Sequence, residues 1–192
     1  MQITERIQAL IKRIVFALLL VFFFGFLVLL VFFNPGELIF SLGIRNSLII
    51  VFFVCLAGAF TSLTAISAYP MVISLVAGEV GPLTAGTVAG LGLAAGDLLF
   101  FMFGYSARDL TGERVRKALE KALLRLQKYN SLVVQGAIFV YVAFTPFPNN
   151  VLSGALAFVG YPLRKAFLPL ILGDVAFCLL VAWLAHHGFR LV

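Results

Sequence analysis

Twenty consecutive residues, Ile14 to Phe33, carry no charge and no proline, and further apolar runs follow over roughly 47–66, 83–106, 132–152 and 165–187. A run of that length can cross the hydrocarbon layer of a bilayer as a single helix. Its backbone polar groups must then be satisfied within the segment, which the helix does. Composition agrees: 62% of the chain is hydrophobic and 11% charged, with a mean hydropathy of +1.11. Those values describe an all-α integral membrane protein and exclude a soluble core in polar clothing. The first run reads as a retained span. It is long for a signal-peptide core, and no small-residue cleavage site precedes Asn34-Pro35-Gly36-Glu37. A shorter stripe, Ile3, Ile7, Leu10, Ile11 and Ile14, is expected to lie in the interface before it. Cys55 and Cys178 both fall in apolar runs and read as buried packing thiols.

The basic residues are placed, not spread. Arg6, Lys12 and Arg13 precede the first run, seven more cations lie within 108–128, and Arg164-Lys165 stand before the last run. The positive-inside rule accounts for this pattern without nucleic acid as a partner. It also constrains topology. If every apolar run were a simple span, 108–128 would fall outside the cytoplasm. It returns inside if 47–80 is a re-entrant hairpin with its tip near Tyr69-Pro70. A second hairpin, roughly 131–160 with its tip at Pro146 to Asn150, then enters from the cytoplasm. Twelve of the fourteen basic residues become cytoplasmic, leaving Arg45 and Arg190 outside. The expected organisation is an N-terminal part over 1–46 and a core over 47–192. The core divides into a first repeat at 47–107, a basic linker helix at 108–130 and a second, inverted repeat at 131–192.

A sparse internal signature supports the repeat. Tyr69-Pro70, Gly78 and Gly96-Asp97-Leu98-Leu99-Phe100 are echoed by Thr145-Pro146, Gly154 and Gly173-Asp174-Val175-Ala176-Phe177. The proline and first-glycine pairs match at a lag of 76, and Gly96, Asp97 and Phe100 match Gly173, Asp174 and Phe177 at 77. Aspartate occurs only three times in the chain, so two of them in one register carry weight. Paired Gly- and Pro-interrupted apolar segments in two halves point to a transporter-like site at the repeat interface.

The linker has two stripes. Val115, Leu119, Ala122, Leu123 and Leu126 share one helical face, and Arg114, Lys117, Lys121, Arg125 and Lys128 share another. Such a helix suits a membrane surface, its cations toward lipid phosphates. A solvated linker that only sets topology fits the same pattern.

The string Val88 to Asp97, continuing through Phe103-Gly104-Tyr105-Ser106-Ala107-Arg108, resembles the end of the first half of DedA-type membrane proteins. These are also called the SNARE-associated Golgi protein or VTT-domain family. Phe144-Thr145-Pro146-Phe147-Pro148-Asn149-Asn150, then Ser153-Gly154, then Tyr161 to Phe167, is similar to that family's second hairpin. The likeness covers about residue 47 to the C-terminus. Departures are clear. Met71-Val72-Ile73 stand where many bacterial members carry an acid, and Val140 and Pro146 stand where they carry arginines. The Thr-Pro-x-Pro-Asn version is closer to the branch with eukaryotic lipid scramblases and small archaeal proteins. The resemblance implies a flippase or scramblase for phospholipid or polyprenyl-phosphate head groups, in the cell membrane of a prokaryote.

The expected substrate path is Asp97, Asp174, Tyr69, Pro70, Thr145, Pro146, Pro148, Asn149 and Asn150. An ionised acid at bilayer depth costs roughly 2.5–3.5 kcal/mol on insertion scales, so Asp97 and Asp174 should face protein or water. Each could gate, meet a head group, or merely cap a helix. Glu79 reads as interfacial, as do His186-His187. No catalytic triad, phosphate loop or metal-ligand set stands out, so no enzyme activity, cofactor or metal is expected. Membrane lipids, anionic ones above all, are the expected partners, and homo-oligomerisation is open. A small-solute or ion transporter and a non-transporting scaffold remain the alternatives.

Overall fold

The computed structural model describes residue 21 and residues 35–59, 62–78, 80–109, 111–145 and 148–188. The run 14–33 apart from Val21, the N-terminal stripe, Glu79 and Pro146 therefore lie outside the described residues. All described residues but Val21 belong to one compact unit, Pro35–Val192. Among them every regular element is a helix: α1 Pro35–Gly58, α2 Ser62–Ala77, α3 Pro82–Asp109, α4 Glu113–Gln127, α5 Ser131–Phe144, α6 Asn149–Val159 and α7 Leu163–Gly188. Two stretches, Pro82–Arg108 and Leu163–Gly188, are long and apolar enough to cross a membrane.

Helix α3 and helix α7 are the axis of the fold, and α3 can be so because of where its glycines fall. A Cβ on Gly86 would meet Leu179 and Cys178, and one on Gly90 would meet Val175 and Asp174. Rising numbers on α3 meet falling numbers on α7, so the two run antiparallel in backbone contact, as small residues allow. On another face, Gly92 meets Phe52 and Cys55, and Gly96 meets Leu56 and Ala59. Here the numbers rise together, so α1 runs alongside α3 in the same direction. It ends level with Gly96, beside Asp97.

Helix α7 meets α5 at a glycine as well. Gly173 meets Val142 and Phe139 of α5, so α5 reaches its end beside Asp174. Helix α6 then runs back with α3: Phe100 covers Gly154, Gly104 meets Gly154 and Ala157, and the Arg108 guanidinium rests on Gly160. Gly160 closes α6 at φ 90, with Tyr161 N–H bonded to Leu156 O at 2.8 Å and its own N–H to Ala157 O at 2.9 Å. That is the left-handed stop that glycine tolerates best. The Tyr105 hydroxyl donates to Tyr161 O at 2.9 Å and ties this turn to α3.

Each pair, α1–α2 and α5–α6, thus turns back at the level of the two acids, and the two pairs arrive from opposite ends of α3 and α7. The first turn is not where the sequence places it. Helix α2 passes through Tyr69 and Pro70 unbroken, so the reversal between the first two helices comes earlier, after α1 ends at Gly58 and before α2 begins at Ser62. A proline inside a helix removes one hydrogen bond without forcing a stop. The chain also begins α1 at Pro35, a residue that suits the first position of a helix.

The pairing of Gly78 with Gly154 does not survive either. Gly78 follows the end of α2, whereas Gly154 sits inside α6. The two Gly-Asp-x-x-Phe motifs make similar contacts. Gly96 and Gly173 each press on the first helix of a hairpin, and Phe100 and Phe177 each cover the second, at Gly154 and at Tyr69. The contacted positions Leu56 and Phe139, or Ala59 and Val142, are related by a lag of 83, not 76.

Candidate functional site

Asp97 on α3 and Asp174 on α7 are 1% and 0% exposed, on the two long helices that pack against each other. Each follows a glycine that lets a hairpin helix come close, so the motif buries its own acid. Helix α6 supplies the polar partners from one face. Asn149 Nδ2 donates to Asp174 Oδ1 at 2.8 Å. One turn on, Ser153, fully buried, lies against the Asp97 carboxyl while its hydroxyl donates to Asn149 O at 3.0 Å. Asn149 and Ser153 are four residues apart, which puts them on one stripe of the helix. The acids are within electrostatic reach of each other and of Tyr69, and Asp174 also of Cys55 and Cys178. Tyr69 is held by a ring contact with Phe177, centroids 5.3 Å apart.

The centre is short of donors. Asp97 Oδ2, Asp174 Oδ2 and Asn149 Oδ1 are shielded from solvent and have no hydrogen-bond partner. Each such unmade bond costs about 1–3 kcal/mol, more for a charged group. No described cationic side chain reaches the centre. Arg108 is at Gly160, and the other described Arg and Lys side chains belong to α4, its C-cap and the start of α7.

Of the expected path, Asp97, Asp174, Asn149 and Tyr69 come together. Asn150 is 7% exposed but turns its Oδ1 onto the N–H of Val151. Thr145 ends α5 and spends its hydroxyl on Tyr141 O at 2.7 Å. Pro148 caps α6, and Pro70 is exposed on α2. Ser153 joins the site unannounced. Its only sequence signal is its place one helical turn after Asn149. Cys55 and Cys178 are free and buried, as their apolar context predicts.

The basic stripe is elsewhere. Arg114, Lys117, Lys121, Arg125 and Lys128 are all exposed, and Lys117 pairs with Glu113 at 3.0 Å. Leu123 and Leu126 of α4 pack on the cluster of Phe101, Tyr161 and Leu170. The inner part of the apolar stripe therefore faces protein, while Val115 at 45% exposed does not. Exposed Arg164 and Lys165 stand at the same end, because the Tyr105–Tyr161 bond brings the start of α7 to the end of α3.

Compared with known proteins, the chain matches no family model, no curated protein and no solved structure.

Proposed function

We propose that this protein is an integral membrane transporter that moves phospholipid or polyprenyl-phosphate head groups between leaflets. The observation that carries the reading is the buried polar layer of Asp97, Asp174, Asn149 and Ser153. It lies at mid-length of two membrane-length helices, where both hairpins turn. Acids at such depth are a functional arrangement by default, and interrupted helices meeting there are the usual place for a transport site. The outer surface supports a lipid setting. Met102, Val140, Phe144, Leu168, Leu172 and Leu184 are 49% to 63% exposed, far more apolar surface than water favours in a monomer. The hairpins are then re-entrant, the two halves inverted, and the α4 end, with its exposed cations, cytoplasmic. That end would gather anionic head groups.

Reconstitution tests this. Vesicles carrying the chain should equilibrate labelled phospholipid or polyprenyl phosphate between leaflets, and Asp97→Asn should slow that exchange in a folded protein. Absence of exchange across both lipid classes would sink the reading. A second reading, transport of a small solute or ion, draws on one observation: the described centre is acidic with no cation to meet a phosphate. Solute flux without lipid exchange would select it.

A further inference from the structure

We propose that the start of α5 and α7 is a binding site for the phosphate of an anionic membrane lipid. Its donors are the Tyr161 and Ser131 hydroxyls and the first N–H groups of both helices. Two contacts show that α5 and α7 begin together. The Tyr161 hydroxyl, from just ahead of α7, lies against that of Ser131, the first residue of α5. Further along, Val142 of α5 meets Gly173 of α7. The numbers rise together, so the two helices run parallel and their positive ends share one level.

Tyr161 is the independent sign of a ligand. It is 4% exposed, yet its hydroxyl completes no hydrogen bond. The Ser131 oxygen accepts instead from Gln135 Nε2 at 3.0 Å, which leaves the Ser131 proton to be donated. A buried hydroxyl left unbonded is costly, and an acceptor brought by a ligand removes the cost. Backbone donors stand beside it. Asn130 takes the N–H of Leu132 on its side chain and that of Val134 on its carbonyl, so Ser131 and Val133 N–H have no partner within the helix. On α7, Pro162 O takes the N–H of Lys165 and Ala166, and the two residues before them are placed as Ser131 and Val133 are.

Donors at a positive helix end are what a phosphate requires. Charge at this end agrees with that sign. Exposed Lys128 stands just before α5, and exposed Arg164 and Lys165 open α7. The acids of α4 are answered within α4, Glu113 by Lys117 and Glu120 by Arg116. The last carbonyls of α6 are taken by the N–H groups of Gly160 and Tyr161 and faced by Arg108. The surface just beyond the donors marks the ligand as a lipid. Leu132 and Val133 on α5 and Phe167 and Leu168 on α7 are exposed, so a phosphate at the helix starts leaves its tails on apolar side chains. The inference rests on the membrane placement of the α4 end proposed above, not on the cargo or the buried acids.

The test uses the full chain in neutral maltoside micelles, with thermal unfolding followed by tryptophan fluorescence. Dioctanoyl phosphatidic acid should raise Tm saturably. Dioctanoylglycerol, which lacks the phosphate, and inorganic phosphate at the same concentration should not. Tyr161→Phe is the deciding variant, because it deletes an unbonded hydroxyl and nothing else. Without lipid its Tm should equal or exceed that of the wild type. With lipid its apparent Kd should rise about tenfold or more, the worth of one hydrogen bond to a charged group. Ser131→Ala should weaken binding in the same direction, and Lys121→Gln on the α4 stripe by less than about twofold. A lower Tm in lipid-free Tyr161→Phe would show that the hydroxyl already has a partner and would overturn the site. So would equal lipid affinity in Tyr161→Phe and wild type, or the same Tm rise from inorganic phosphate or from dioctanoylglycerol. Lipid exchange without this binding refutes the site alone, and binding without lipid exchange refutes the cargo alone.

Discussion

Gly90→Ala adds one methyl group to the α3–α7 crossing, and the structure specifies what it strikes. The new Cβ would lie 2.5 Å from Val175 Cα and 3.0 Å from both Asp174 O and Val175 N. All three are backbone atoms, so no side chain can swing away. Ordinary contact begins at 3.4 Å, so the helices must part by roughly 0.9 Å beside the buried acid. Overpacking of this kind costs about 1–3 kcal/mol, and a backbone clash sits at the upper end. Alanine returns about 1 kcal/mol of helix propensity over glycine. The net expectation is a loss near 2 kcal/mol. Gly136→Ala in α5 is the matched control, because a Cβ there meets nothing within 4 Å. It should gain up to about 1 kcal/mol from the same propensity term. The two variants should thus differ by about 3 kcal/mol, or about 6–12 °C in Tm for a chain of this size. Thermal unfolding of the two purified variants in one detergent reads the difference directly. Equal Tm values would show that α3 and α7 do not cross at Gly90 as described.

Asn149→Ala strips the remaining partner from Asp174 Oδ1 and should destabilise by about 1–3 kcal/mol; in an Asp174→Asn background most of that cost should disappear in a double-mutant thermal melt. Tyr105→Phe removes one bond to the α6–α7 turn and should cost about 0.5–1.5 kcal/mol with little change in lipid exchange. Gly160→Ala forces a residue with a Cβ into φ 90 and displaces Arg108, a loss of roughly 1–2 kcal/mol measurable by the same melts. A cysteine in place of exposed Lys121 should react with an impermeant thiol reagent only from the cytoplasmic face, and reaction from outside would end the topology argument.

Part of this molecule is legible without coordinates. Helical class follows from apolar runs too long and too bare of charge for other structure, and the membrane-length helices end close to where those runs do. The Gly-Asp-x-x-Phe motif marks both acids because each chemical requirement sits within a few residues. Glycine admits a neighbouring helix, aspartate points to the crossing, and phenylalanine covers the other side. The basic stripe of α4 is equally plain, since exposure at helical spacing is a local property. The hairpin turn was not. Pro70 is a strong local breaker, but whether a proline ends a helix depends on what packs around it, and here α2 continues past it to Ala77. The two hairpins also follow a lag of 83 while their acids follow 77, in part because α2 has 16 residues and α6 has 11. Sequence spacing absorbs such differences without a trace. Ser153 and the orphaned oxygens of Asp97, Asp174 and Asn149 belong to the same category. Which polar groups face one another is settled only when three helices from distant parts of the chain close on one point, and hydrogen bonding there depends on tenths of an ångström.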